Sequence, residues 1–307
     1  MARTSDELVN AVQISCMVPT NQADITPDRI LGFANEEIEG KILPTIKAVN
    51  QEYLVSSITT PLVSGVQNYS IPYRYMGRTA REVKLFDGTM TRNLALIKLE
   101  DAHFYNYASV PNGFYFQGDQ IYMVPKPISS SMSLQWWGLQ RPGRLTAVAN
   151  CGVVTSIGAS TVTLASVPST FLTGGLVDMI QGQSGNSLWA QDVAITGIAG
   201  NTLSFAVGTV PTSLVVGDYI CPPWQSCVLQ YPEEAFGLTV CLASIRVFKA
   251  IGDLEAAQAE EQLVSDKIRQ FQMMIEPRIE GINEKIIQRV SLLRGNRSRF
   301  RRGLIYP

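Results

Sequence analysis

From 145 to 222 the chain runs for 78 residues without one Lys, Arg or Glu, and its only formal charges are Asp178, Asp192 and Asp218. In this stretch β-branched residues alternate with small polar ones, and Gly, Pro or Asn interrupts them every 8 to 12 residues or so, a pattern of short strands joined by turns. The stretch also repeats itself. Val154-Thr155-Ser156-Ile157-Gly158-Ala159-Ser160-Thr161-Val162-Thr163-Leu164 parallels Ile195-Thr196-Gly197-Ile198-Ala199-Gly200-Asn201-Thr202-Leu203-Ser204-Phe205. Val167-Pro168 then matches Val210-Pro211, and Gly175 with Asp178 is paired with Gly217 and Asp218 at a different spacing. Two related hairpin units folding onto each other predict a small barrel or sandwich.

Around this module the chain is ordinary. Its 307 residues favour about two structural units, and 46% apolar residues can build a sizeable core, which argues against wholesale disorder. The overall 17% of charged residues and net charge of -1 hide local contrasts: 1–60 has four basic and eight acidic residues, 223–288 six and ten, and 289–307 six arginines and no acid. The five cysteines, Cys16, Cys151, Cys221, Cys227 and Cys241, contain no CxxC pair, and His103 is the one histidine. A thiolate zinc site and a disulfide framework are therefore not expected, and a reducing compartment is. No run approaches the roughly 18 apolar residues of a membrane span, and the first residues lack the layout of a secretory signal, so the expectation is a soluble chain, cytosolic where it is made.

The flanks read as helical and strand-rich in turn. Thr26-Pro27-Asp28 is a helix start, with Thr as N-cap and Pro at the first position. Apolar residues follow at Ile30, Ala34, Ile38 and Ile42, and Pro44 should kink or break the helix before Ile46, Val49 and Tyr53. Extended structure is expected at 69–72, 81–86, 114–116, 121–124 and 132–137, with Gln117-Gly118-Asp119 as a hairpin turn. Adjacent Trp136 and Trp137 would face opposite sides of a strand, implying that both faces are covered. After Pro232-Glu233-Glu234, apolar residues at Val264, Ile268, Phe271, Ile275, Ile279, Ile282, Ile286, Val290 and Leu293 recur in steps of three and four. Pro277 should kink this region without ending it. If continuous from Glu233 to Leu293 the helix would be on the order of 90 Å long, more than one compact domain can cover, so it or its two halves should pack on a helical partner, either the N-terminal helix or a neighbouring subunit. The fold class expected is α+β. Helical 1–60 and 223–293 pack together, 61–143 is a strand platform, 144–222 an inserted β module and 294–307 a basic arm.

Catalytic chemistry finds little to work with. His103, in Asp101-Ala102-His103-Phe104-Tyr105, reads as a packing or hydrogen-bonded residue, and Glu36, Glu37 and Glu39 as a solvated helix face. No phosphate-binding loop, GxGxxG, HExxH or GxSxG is present. No catalytic, cofactor or metal residue is assigned. The aromatic residues Tyr69, Tyr73, Tyr75, Phe104, Tyr105, Tyr107, Phe114, Tyr115, Phe116, Tyr122, Trp136 and Trp137, interleaved with Arg74, Arg78 and Arg81, suit stacking on single-stranded nucleic acid. Platform core plus a subunit interface is the preferred account of them. The sharpest local anomaly is the C-terminus, where Arg289, Arg294, Arg297, Arg299, Arg301 and Arg302 precede Leu304, Ile305 and Tyr306. Such an arm suits phosphates or an acidic protein surface, docking by strand addition or in a pocket.

Three runs carry a family likeness: 26–37 (TPDRILGFANEE), 69–78 (YSIPYRYMGR) and 116–127 (FQGDQIYMVPKP). Over 1–143 and 223–307 the chain resembles the head-to-tail adaptor (connector or neck) proteins of tailed bacteriophages, with 145–222 as a family-specific insertion. The resemblance implies a structural virion protein in the neck between capsid and tail, a ring of usually twelve copies beneath the portal protein. Packaged DNA would pass through the channel, with a tail or nozzle protein and possible tail fibres on the other side. It implies that the C-terminal arm, Arg294 to Tyr306, reaches the portal, leaving open whether its arginines meet portal carboxylates or DNA. Two other classes are weighed: a glycan-binding tail protein using the β module and an exposed Trp189, and a nucleic-acid-binding protein using the arginine arm.

Overall fold

The computed structural model describes residues 3–18, 24–105, 110–183 and 188–276, with 3–276 belonging to one compact unit. It is an α+β fold. Helix α1 (Ser5–Cys16) starts where the Thr4 hydroxyl accepts from the Glu7 N–H and ends at Met17 in the left-handed region. Helix α2 (Pro27–Glu37) is capped as expected, with Thr26 Oγ1 accepting from the Arg29 N–H at 3.3 Å. Pro44 does not break the helix. It has no N–H for the Gly40 carbonyl four residues back, and its ring would collide there; the chain widens into a π turn at Ile38–Ile42 and runs on as α3 (Leu43–Val49).

The platform follows as β1 (Val55–Pro61), β2 (Asn68–Ser70), β3 (Glu82–Phe86), β4 (Thr91–Asn93), β5 (Ala95–Leu96), β6 (Gly113–Gln117), β7 (Gln120–Val124) and β8 (Ser133–Leu139). They form two sheets, β1-β8-β3-β4 and β2-β7-β6-β5, and the segment 91–96 edges both. The expected hairpin joins β6 to β7, with Gly118 at a φ of 64°. Trp136 is wholly buried and donates its indole N–H to Thr60, whereas Trp137, on the other face, is half-buried beneath the Lys84 ammonium. Tyr75 lies in the same core against Gly138 and donates its hydroxyl to the Trp136 carbonyl, and burial pushes its pKa up to about 12.

Strand β9 (Arg144–Leu145) leads into a closed six-stranded antiparallel barrel: β10 (Gly152–Ile157), β11 (Thr161–Leu164), β12 (Leu176–Ile180), β13 (Leu188–Ala199), β14 (Thr202–Phe205) and β15 (Tyr219–Cys221). The sequence repeat is a structural one. Hairpins β10-β11 and β13-β14 lie side by side through β11 and β14, and each carries a bulge at the same repeat position, after Val154 and after Ile195. Val154, Val162 and Leu164 occupy the core as do Ile195, Leu203 and Phe205. Past Val-Pro, both copies turn back on the proline carbonyl, Phe171 N–H to Pro168 and Leu214 N–H to Pro211. One pairing is corrected: Gly174, not Gly175, answers to Gly217, both at positive φ (84° and 94°), so Asp178 and Asp218 are not equivalent. The extra residues before Val210 had obscured the match.

Strand β16 (Gln225–Ser226) pairs in parallel with β9, so the barrel's entry and exit lie next to each other. Asn35 of α2 holds this ribbon, donating to the Leu145 carbonyl at 3.0 Å and accepting its N–H at 2.7 Å. Next come α4 (Phe236–Ile251) and α5 (Leu254–Ile275), an antiparallel pair, so the region is not one continuous helix. Gly252, at a φ of 86°, caps α4, and the Asp253 carboxylate caps α5 by accepting the Ala256 N–H. The chain therefore supplies its own partners: Phe271 and Ile275 of α5 share a core with Leu8, Ile30, Ile46, Leu242 and Val247. The positions expected to continue the helix beyond 276 lie outside the described residues.

Candidate functional site: the barrel junction and exposed apolar surfaces

The three acids of the charge-poor stretch each have structural partners. Asp178 and Asp192 both bind Arg74, which rises from the platform between β2 and β3, at 2.8 and 3.0 Å. Arg74 and Asp178 side chains are each only 2% exposed, Asp192 21%. Asp178 also accepts the N–H groups of Asp192 and Trp224. The Trp224 ring covers the guanidinium at 4.5 Å, and the exposed Tyr73 donates its hydroxyl to Asp192. Burial works against the Arg74 charge, but Asp178 and Asp192 outweigh it and hold its pKa above the ordinary value. The third acid, Asp218, stays within the barrel and accepts from the Gly182 and Val215 N–H groups and from the Trp189 indole. Two charges fasten the barrel to the platform, and one braces its loops.

These contacts revise several readings. Arg74, Arg78 and Arg81 are bound to Asp178, Asp119 and Glu52, and Tyr69, Tyr75, Phe114 and Trp136 are buried. Tyr115 and Tyr122 stack on each other, half-buried, with ring centroids 5.3 Å apart. Four of the set thus belong to the platform core, whereas Tyr73, Phe104 and Phe116 are exposed. Trp189 is half-buried and tied to Asp218, so it is not the exposed ring a glycan site needs. Glu37 is not solvated, unlike exposed Glu36 and Glu39: it is 3% exposed and held by Arg246 at 2.5 Å and Lys41 at 2.7 Å. Burial would raise its pKa, but these two cations bring it below the ordinary value. His103 is exposed rather than packed inside, its ring 3.9 Å from that of Phe104.

Two further features were not apparent in the sequence. Cys151, Cys221 and Cys227 are buried together where the barrel joins the body, in a spacing too irregular to announce itself. Burial pushes the Cys221 thiol well above its usual pKa, and mutual contact with burial does the same at Cys151 and Cys227. Second, large apolar side chains stand exposed at many positions, among them two groups on different elements. One group, Leu96, Leu99 and Phe104, flanks the joint between the platform sheets at 62–67% exposure; the other, Leu263, Met273 and Met274, lies on α5. Helix α5 buries only Ala257, Phe271 and Ile275 of its 22 residues.

The arm residues Arg294, Arg297, Arg299, Arg301, Arg302, Leu304, Ile305 and Tyr306, together with Tyr107, lie outside the described residues, as does the side chain of Tyr105. Among the described residues no helix is long and apolar enough to cross a membrane. No family model and no curated protein matches the chain.

Proposed function

We propose that the protein is a structural head-to-tail adaptor of a tailed bacteriophage, a ring-forming subunit of the virion neck that docks on the portal through its C-terminal arm and surrounds the exiting DNA. The observation that carries this reading is that Leu96, Leu99 and Phe104 of the platform and Leu263, Met273 and Met274 of α5 present exposed apolar side chains on two different elements. A large exposed apolar patch marks an interaction site, and a ring needs two different complementary patches on each copy, whereas a two-fold dimer needs one. The tail-side partner would be a tail or nozzle protein, with tail fibres a further candidate for contact with the barrel.

The arm is tested by truncation after Leu293. Mixed with the cognate portal and viewed by electron microscopy, the full chain is expected to add a second ring and the truncated chain none, while its melting temperature stays unchanged. Normal attachment of the truncated chain would remove the arm from the docking role. A steep loss of binding to free DNA as salt rises, with no portal ring formed, would favour a nucleic-acid-binding protein instead.

A further inference from the structure

We propose that Cys151, Cys221 and Cys227 form a binding site for one soft, thiophilic ion held by three sulfur donors, in the class of trivalent arsenic. The three Sγ atoms lie within 4.8 Å of one another, and those of Cys221 and Cys227 are 3.8 Å apart. Trivalent arsenic keeps a lone pair and sits at the apex of a pyramid, where bonds of about 2.3 Å at angles near about 100° set the sulfurs about 3.5 Å apart. The thiols thus need to move by less than about 1 Å.

The surroundings select the kind of ion. Ile180 and Val228 are buried against the thiols, with Val148, Leu188 and Tyr219 partly buried around them, and among the described residues no carboxylate or imidazole joins the three sulfurs as a further ligand. The one histidine, His103, is exposed on the platform segment Leu99–Tyr105. Zinc lacks its fourth protein ligand here among the described residues, and calcium or magnesium would find no oxygen shell. Net charge decides among the soft ions. Three thiolates on a monovalent ion leave two negative charges in an apolar pocket, on a divalent ion one, and on a trivalent ion none.

Arsenous acid, As(OH)3, reaches that neutral product without redox change. Three As–S bonds form, three As–O bonds break, and each thiol proton leaves with a hydroxide as water. Cys151 precedes β10, Cys221 ends β15 and Cys227 follows β16, so the ion would tie together the chain's entry to the barrel, its exit and the body. It would also fix the loop carrying Trp224, the ring that covers Arg74.

The test uses the reduced full chain, folded and also refolded in the presence of arsenite. Native mass spectrometry is expected to show one arsenic per chain, and alkylation mapping to show Cys151, Cys221 and Cys227 protected together while the melting temperature rises. Cys16 and Cys241, which contact the Ser244 carbonyl and the Glu260 carboxylate elsewhere, serve as controls: the double variant Cys16→Ser/Cys241→Ser should bind normally. Cys151→Ala, Cys221→Ala and Cys227→Ala should each bind at least tenfold more weakly. Because all five thiols are buried, alkylation is carried out in denaturant with and without arsenite, where only arsenic-bound thiols stay unmodified, and this map on the parent chain decides the matter even where a variant fails to fold. No arsenic uptake after refolding, protection of other cysteines, or a folded single variant that binds like the parent would overturn the proposal. Zinc(II) binding more tightly than arsenite would overturn the three-sulfur class.

Discussion

Arg74 shows how much can rest on one side chain. Removing it leaves Asp178 buried without its cation, so Arg74→Ala is expected to cost about 3–5 kcal/mol in urea denaturation. Asp192→Asn should cost much less, because Asp192 is an order of magnitude more exposed than Asp178. Equal losses in the two variants would contradict this ranking. Glu37 makes a different prediction, in pH. Its folded pKa lies below the unfolded one, so its contribution to stability is complete above the ordinary carboxylate pKa and disappears as pH falls through the folded value. Glu37→Gln should therefore be less stable than the parent at pH 7 and equal to it at sufficiently low pH; a gap that does not narrow on acidification would refute the assignment. Neither contact was legible in the sequence. Asp178 and Asp192 stood out as rare charges, but their partner lies 104 and 118 positions away, and Arg246 is 209 positions from Glu37. Charge counts identify which residues are unusual; pairing is set by the fold.

At the scale of elements, sequence periodicity served best where a pattern is local and repeated. The barrel hairpins, the Thr26 cap, the β6–β7 turn and the alternate faces of Trp136 and Trp137 all depend on neighbours a few positions apart. The C-terminal helical region divides well before Pro277, at Gly252 and Asp253. Gly252 followed by Asp253 is a helix stop followed by a helix start, yet apolar residues spaced three and four apart further along drew the reading through them. The barrel's closure depends on a contact no periodicity could show: Gly182 lies against the backbone of Gly217, and a Cβ there would collide with the Gly217 carbonyl oxygen. Because backbone cannot swing aside as a side chain can, Gly182→Ala should destabilise the barrel by about 1–3 kcal/mol. Hydrogen exchange should report faster opening of β12 and β15 than of α4. Gly32→Ala is the control, since nothing lies within 4 Å of its added methyl on α2 and the change should stabilise by about 1 kcal/mol. Equal behaviour of the two variants would mean that the close approach is not limiting.

The whole molecule has a helical core, a platform core and a barrel core, with a small cysteine-lined cluster where the barrel joins the body. Its α+β class and a small inserted barrel or sandwich could be anticipated from the sequence pattern, because a charge-poor stretch of two repeated hairpin units between charged helical regions has few ways to fold. How the parts are fastened could not, since the fastenings are single residues from distant segments. The barrel hangs from a two-residue parallel ribbon, β9 with β16, and is held a second time by Arg74. With only the ribbon, it would pivot about one point like a flag on a pole. The second fastening turns the pivot into a bracket: a sideways load on the barrel becomes a force couple shared between ribbon and platform, and passes into the body without bending the strand pair that carries the chain.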